Sequence, residues 1–493
     1  LIAICGCGLV SSQFPELSLV DVFTLLNLGY FNNTELRAIG TVSILAATFT
    51  LAPRHRLATS VVAAVAIFVL GRSELIILAT VPLIILILTL WRWHPVIIST
   101  LSQITIALVP FVALTFGQAL WVLGQLAVEP PAGTRRSTES STRVLWVVFD
   151  EMDQRLAFEC TDSGLYLPEH QRLRRESLSA SNAYPPADMT LMSMPALITG
   201  RMISQARPVS PSELMITYEG SDHETPLSRE SNLFSQALSA GFNSALIGWY
   251  HPYCRIIGSS VSECDCGGVG ERSLPISILA QFRGVGQSLP FASGLIAPTE
   301  PELREKRRKH WAEYRQVLEG TKKAAANTSL GLVLAHFPIP HMPGIYDRRK
   351  GAFDDDGEWS YVDNLYLADK TLGELRQTME EAGVWDKTIL LVSSDHWWRA
   401  NIWKAKGLSW QHVWTAEDDA TFSGQVDRRV PFLLRLPGQS DAVAYESGFN
   451  TIVTHDLVLA LLKGEVSTTS GVTTWLDQHG RSDWEPLEFK VAK

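Results

Sequence analysis

Hydrophobic and polar positions divide this chain into two unlike parts. Up to residue 127, apolar runs follow one another with almost no charge between them. The run 75–90 is uncharged and almost wholly apolar, with neighbours at roughly 38–52, 58–71 and 99–127, a weaker one near 17–31, and the end of another at 1–11. Runs approaching the ~20 apolar residues that a bilayer crossing needs predict an α-helical transmembrane bundle of about five helices over 1–127. Past residue 143 short apolar runs alternate with amphipathic stretches. Val144-Leu145-Trp146-Val147-Val148-Phe149, Ala245-Leu246-Ile247, Gly331-Leu332-Val333-Leu334-Ala335, Thr388-Ile389-Leu390-Leu391-Val392 and Pro431-Phe432-Leu433-Leu434-Arg435 read as buried strands. Between the third and fourth, 363–382 carries Leu365, Leu367, Ala368, Leu372 and Leu375 at helical spacing. Such alternation predicts an α/β domain with a mostly parallel sheet sandwiched by helices.

Polar punctuation sets the boundaries. Glu129-Pro130-Pro131-Ala132-Gly133-Thr134 and the polar stretch after it form a linker over 128–142, which leaves 143–493 as a separate domain. The chain begins with Leu1 rather than Met, so an N-terminal piece is expected to be missing.

Charge adds direction. Residues 1–127 hold four acidic residues, five arginines and no lysine. Arg54 and Arg56 share one loop and Arg92 lies two loops later, so both loops are expected to face the cytoplasm. The loop with Arg72 and Glu74 then faces outward. The last helix delivers the rest of the chain to the periplasm or exterior. The expected location is a bacterial-type inner (plasma) membrane, multi-pass, with the second domain periplasmic or extracellular. The remainder carries 37 basic and 47 acidic residues, a balance that argues against a nucleic-acid partner.

Cysteine usage fits that address. Cys160, Cys254, Cys264 and Cys266 lie in the exported part. A structural disulfide joining Cys254 to Cys264 or Cys266 is favoured over a zinc knuckle, because no histidine sits at finger spacing.

The strands end in ligand chemistry. The first runs into Asp150-Glu151, the third into His336, and the fourth into Ser394-Asp395-His396. One carboxylate at a strand end is commonly a helix cap. Three strands ending in potential ligands point to one shared site, since open α/β sheets place their sites at the carboxyl ends of strands. Asp with His offers oxygen and nitrogen ligands suited to zinc or manganese.

A fourth segment, Thr190-Leu191-Met192-Ser193-Met194-Pro195-Ala196-Leu197-Ile198-Thr199-Gly200, completes a pattern. Over about 144–460 the chain resembles the alkaline phosphatase/sulfatase superfamily. In layout it resembles that superfamily's membrane-anchored phosphoethanolamine and glycerol-phosphate transferases. Thr190 precedes Thr199-Gly200 by the distance that separates a sulfatase nucleophile from its Thr-Gly, and Ser193 holds the place of the motif's serine. The segment from Gly241 to Trp249-Tyr250-His251 is similar to a sulfatase segment ending Gly-Lys-Trp-His, and Arg429-Val430-Pro431-Phe432 resembles the family's strand after the metal pair. His336-Phe337-Pro338-Ile339-Pro340-His341, with Tyr346 and Arg348 after it, resembles the transferases' two-histidine segment, and Tyr361-Val362-Asp363-Asn364 their Tyr-Asp-Asn. His412 matches a further family histidine by spacing alone.

Departures matter as much. A sulfatase needs Cys or Ser at the nucleophile position, oxidised to formylglycine, and threonine cannot give that aldehyde. The sulfate-binding lysine is replaced by Trp249 and the motif's arginine by Met194.

The resemblance implies Thr190 as nucleophile, and Asp150, Glu151, Thr190, Asp395 and His396 as metal ligands, with Asp150 ranked above Glu151. His336, His341, His412, His251 and Arg348 are candidates for substrate binding or a second metal. The ion is expected to be zinc, with manganese as the alternative, in one or two copies. The reaction implied is transfer or hydrolysis of phosphate esters through a covalent phosphothreonine. Its expected partners are membrane lipid and a lipid or glycan phosphoester. A sulfuric ester hydrolase and an inactive envelope scaffold are the alternatives. Trp397, Trp398, Trp403, Trp410 and Trp414 line an apolar or sugar-binding mouth, dip into the membrane interface or pack the core.

Overall fold

A strand with no polar face has to be covered on both sides. Every residue of β1 (Arg143–Asp150) is buried accordingly. The computed structural model describes residues 142–159, 165–266, 299–406, 413–422 and 424–480, with five isolated positions before them. Apart from isolated positions within 99–127, the apolar runs expected to form the membrane bundle lie outside the described residues, as do Cys160, Trp410 and His412. No described helix is long and apolar enough to cross a membrane. The elements named below belong to one compact unit, Val128–Arg272 with Ala297–Lys493.

Seven further strands join β1: β2 Leu178–Ala180, β3 Ser244–Gly248, β4 Glu263–Cys266, β5 Leu332–Pro340, β6 Thr388–Ser394, β7 Phe432–Arg435 and β8 Val443–Tyr445. They form one sheet in the order β8-β2-β7-β6-β1-β5-β3-β4. Five of its seven pairings are parallel, and only β7 runs against its neighbours β6 and β2. The sheet is therefore mixed and mostly parallel.

Four helices matter for the site: α1 Thr190–Thr199, α2 Glu300–Ala326, α3 Tyr361–Glu381 and α4 Thr454–Leu462. Capping boxes start α2 (Thr299 with Glu302) and α3 (Ser360 with Asp363). Leu145, Val147 and Phe149 share one core with Tyr314, Val317 and Leu318 of α2 and Leu365, Ala368 and Leu372 of α3. The alternate residues Val144, Trp146 and Val148 are equally buried, and α4 packs on β1 as well. Arg143, buried at the start of β1, donates to the carbonyls of Ala325 (2.7 Å), Asn327 (3.1 Å) and Leu330 (3.3 Å). It thereby satisfies orphan acceptors at the end of α2 and fixes the helix to the sheet.

Helix α1 ends on Gly200, whose φ of +70° is the left-handed conformation that favours glycine. A Cβ there would also lie 2.7 Å from the His455 ring on α4. Gly200→Ala is expected to cost at least ~1–2 kcal/mol from the backbone alone, read as a lower denaturant midpoint. An unchanged midpoint would contradict this account of the Thr-Gly pair.

Of the alternative disulfides, Cys254–Cys264 is the one present, and Cys266 keeps a free thiol. The bond ties the short helix Tyr253–Ile257 to edge strand β4.

Candidate active site

Parallel neighbours bring strand ends together. Phe149 of β1 sits opposite Ser394 of β6, so Asp150 and Asp395 emerge side by side. Helix α1 delivers Thr190 to the same point. Thr190 Oγ1 lies 2.7 Å from Asp395 Oδ2, 3.3 Å from Asp150 Oδ2 and 3.2 Å from His396 Nε2. Ser193, one turn along α1, donates to the Asp395 carbonyl and joins helix to strand end. The two oxygens of Asp395 have separate tasks: Oδ1 accepts the backbone N–H groups of His396 (2.8 Å) and Glu151 (3.2 Å), while Oδ2 faces Thr190.

The donor set fits a divalent metal. Asp150, Asp395 and His396 each offer a ligand atom, all within 4.8 Å of one another, and all three side chains are fully buried. Asp150 Oδ1 is buried with no hydrogen-bond partner. His396 Nδ1 lies 3.0 Å from the Trp397 carbonyl, which can only accept. The proton therefore sits on Nδ1, and the Nε2 lone pair faces the carboxylates, the tautomer that ligates metals. Burial first, and then Asp395 and Glu151, push Asp150 well above the usual carboxylate range; burial raises Asp395 too. Two such carboxylates ionise together at low cost only around a cation.

Histidines line the surroundings. His336 is buried on β5, with Nε2 3.8 Å from Asp395 Oδ2, 4.0 Å from Asp150 Oδ2 and no hydrogen-bond partner. Its Nδ1 meets the Tyr253 hydroxyl at 3.1 Å, which fixes the ring. His341 packs edge-on against Trp249 and Trp403 at ring distances of 5.3 and 5.2 Å. His251 Nε2 donates to the Thr190 carbonyl at 3.1 Å and so holds the start of α1. Among the described residues, only Asp150-Asp395-His396 and the cysteines Cys254, Cys264 and Cys266 bring three ligand-type groups together. His336 and His341 form no second such group there, and His412 lies outside the described residues.

Burial lowers His251 to about 4 and His336 to about 3, so both are neutral at pH 7. An unfolded histidine protonates near 6.5. Between there and about 4 the unfolded chain binds a proton at His251 that the folded chain refuses. The contribution is thus full above pH 6.5 and is lost as pH falls toward 4. In the metal-free protein, His251→Gln keeps a donor for the Thr190 carbonyl. It is expected to remove roughly 3 kcal/mol of that pH-dependent loss, read by urea unfolding at pH 7 and pH 4. An identical slope in the variant would refute the assignment.

Three placements bear on what the sequence suggested. Glu151 does not join Asp150 at the ligand cluster. Successive side chains at a strand end point to opposite sides, and Glu151, at φ +63°, accepts from Arg399 Nε (2.6 Å) and Trp403 Nε1 (2.7 Å) instead. Arg348 has carboxylate partners: its guanidinium binds Asp363 and Glu417, both at 2.9 Å through Nη1. Trp397, Trp398 and Trp403 are core residues, at most 5% exposed, with the half-buried Trp414 stacked on Trp398.

The structure also adds residues that the sequence did not single out. These are Arg399, Tyr253, and His310 of α2, whose Nε2 donates to the His341 carbonyl at 3.1 Å. Tyr250, 48% exposed at φ +71°, packs edge-on against Trp249 and His251 at ring distances of 5.9 and 5.0 Å.

No family model and no curated protein matches the chain. The chain is similar to solved structures at low identity. Ps i-CgsB in complex with k-i-k-neocarrahexaose has 16% identity and a TM-score of 0.46, over 72% of this chain and 80% of that one. The lipoteichoic acid synthase LtaP from Listeria monocytogenes has 12% identity and a TM-score of 0.40, over 72% and 78%. A protein in the alkaline phosphatase superfamily from Vibrio parahaemolyticus has 14% identity and a TM-score of 0.39, over 68% of each chain.

Proposed function

We propose that the chain is a metal-dependent transferase or hydrolase of phosphate esters, a member of the alkaline phosphatase/sulfatase superfamily that works through Thr190. The observation that carries this reading is the Thr190 hydroxyl held within 3.3 Å of two buried carboxylates and an imidazole nitrogen. Asp150, Asp395, His396 and Thr190 would hold the ion, zinc or manganese. When bound, it supplies Lewis acidity that makes a weak alcohol nucleophilic at neutral pH.

The chain's own residues do the rest. Asp395 Oδ2, at 2.7 Å, is the acceptor nearest the Thr190 proton. Thr190 Oγ1 forms a bond to phosphorus as the bond from phosphorus to the ester oxygen breaks, and the proton that Asp395 took from Thr190 passes to that leaving oxygen. His336, neutral and next to both carboxylates, is placed to donate a hydrogen bond from Nε2–H to a phosphoryl oxygen. A second alcohol then takes the group from threonine in a transferase, or water takes it in a hydrolase.

The same reading extends to location. Residues 1–127 form the membrane anchor, 143–493 lie outside the inner membrane, and the donor is a lipid phosphoester with a lipid or glycan acceptor. The uncharged N-terminal runs support it, and so does the Cys254–Cys264 bond, which suits an oxidising compartment.

The test is incubation of the zinc- or manganese-loaded chain with envelope phospholipid, followed by peptide mass spectrometry. A phospho-adduct on Thr190 is expected. Modification of another residue instead, or turnover of sulfate esters alone, would overturn the reading.

A further inference from the structure

A centre that attacks a charged ester needs a cation other than the metal for the ester's own oxygens. The positions where the resemblance would put one hold Trp249 and Met194, and Arg348 is bound to two carboxylates. Among the described residues, Arg399 brings a guanidinium to the acid beside Asp150. Arg399 lies three residues past His396, just before the helix Ala400–Lys406, and its side chain is 14% exposed. Its Nε is fixed on Glu151 Oε1 at 2.6 Å. Trp403 Nε1 holds the other oxygen of that carboxylate at 2.7 Å. The acid is thereby gripped on both oxygens, and the guanidinium is pinned along one edge. Among the described residues, Nη1 and Nη2 carry no hydrogen bond. Glu151 directly follows Asp150 and donates its N–H to Asp395 Oδ1 at 3.2 Å, and the charge of Arg399 acts on Asp150 and His396, both within 3.3 Å of the Thr190 hydroxyl.

Resting on the phosphoester reading, we propose that Arg399 is the anion-binding residue of this centre. Its unpaired edge binds non-bridging oxygens of the transferring group, and Glu151 is the tether that aims it. The two adjacent acids therefore divide the work: Asp150 faces the metal site, and Glu151 holds the arginine. A planar guanidinium offers two parallel donors to a tetrahedral oxyanion, and a site shielded from water strengthens the pairing.

The probe is inorganic phosphate, titrated calorimetrically into the zinc-loaded chain, with metal content measured on each sample. Arg399→Met is expected to weaken phosphate binding by about 100-fold with zinc content unchanged, and Arg399→Lys to recover part of the loss. Because Arg399→Met leaves a buried glutamate without its partner, the double variant Arg399→Met with Glu151→Gln keeps the test open if the single variant unfolds. It should show the same weakened binding. Glu151→Gln alone should keep its zinc. Unchanged phosphate affinity without Arg399, or loss of zinc in Glu151→Gln, would overturn the proposal. If phosphate binds through Arg399 while Thr190 is never labelled, the reaction falls and the anion site stands. Labelling of Thr190 with phosphate affinity indifferent to Arg399 gives the converse.

Discussion

Replacing Thr190 by Ala is expected to lower phosphoester turnover by roughly 10⁴-fold or more, the scale seen when a covalent nucleophile is removed. The fold should survive. Thr190 is 4% exposed at the first turn of α1, and its loss removes only a hydroxyl and a methyl group. Ser193, bonded to the Asp395 carbonyl, and His251, bonded to the Thr190 carbonyl, keep the helix start in position. Asp150, Asp395 and His396 stay in place, so metal should still bind, more weakly. Thr190→Ser restores the oxygen and should recover most of the turnover. The measurement is turnover with metal add-back, alongside metal content and unfolding midpoint. An alanine variant with near-normal turnover would remove Thr190 from the chemistry.

The second large effect concerns stability. A carboxylate whose folded pKa is raised stabilises the fold only below its unfolded value, and that contribution is lost as pH rises through the folded value. The raised Asp150 and Asp395 should therefore each contribute less to the metal-free protein at pH 8 than near pH 5, opposite in sign to His251 and His336. Zinc at a thousand times its dissociation constant should then add about 4 kcal/mol. Asp395→Asn should behave oppositely. Its Oδ1 still accepts the backbone N–H groups of His396 and Glu151, and its amide faces Thr190 in place of a charge. The metal-free variant is expected to be more stable than metal-free wild type at pH 8 and to lose the response to zinc. Thermal unfolding with and without chelator checks both parts. An equal response to zinc in variant and wild type would rule out this metal site.

Much of the sheet can be read from residue order, because fully buried strands leave no alternative to an apolar run. The run Thr388–Val392 became β6, and the helical pattern over 363–382 became α3 at Tyr361–Glu381. The strand expected at 331–335 reaches Pro340, since the prolines that follow His336 masked its continuation. The antiparallel sense of β7 was not legible, because an apolar run carries no direction. Nor were the three-residue strands β2 and β8, which are shorter than any periodicity.

At the site, Thr190, Asp150, Asp395 and His396 stood at recognisable ends of elements. Arg399 and Trp403 did not. They follow the metal pair in a stretch rich in tryptophan, and their tie to Glu151 spans more than 240 residues of chain. His310 was hidden in a highly charged helix, where one more polar residue draws no attention.

Tyr253 and Cys254 are consecutive. A covalent clasp at the rim of the sheet and the hydroxyl that steadies an imidazole at its middle therefore share one peptide unit. Severing the sulfur bridge is expected to loosen that unit at one end and, with it, the heading of the His336 ring, while the β-scaffold around it still stands.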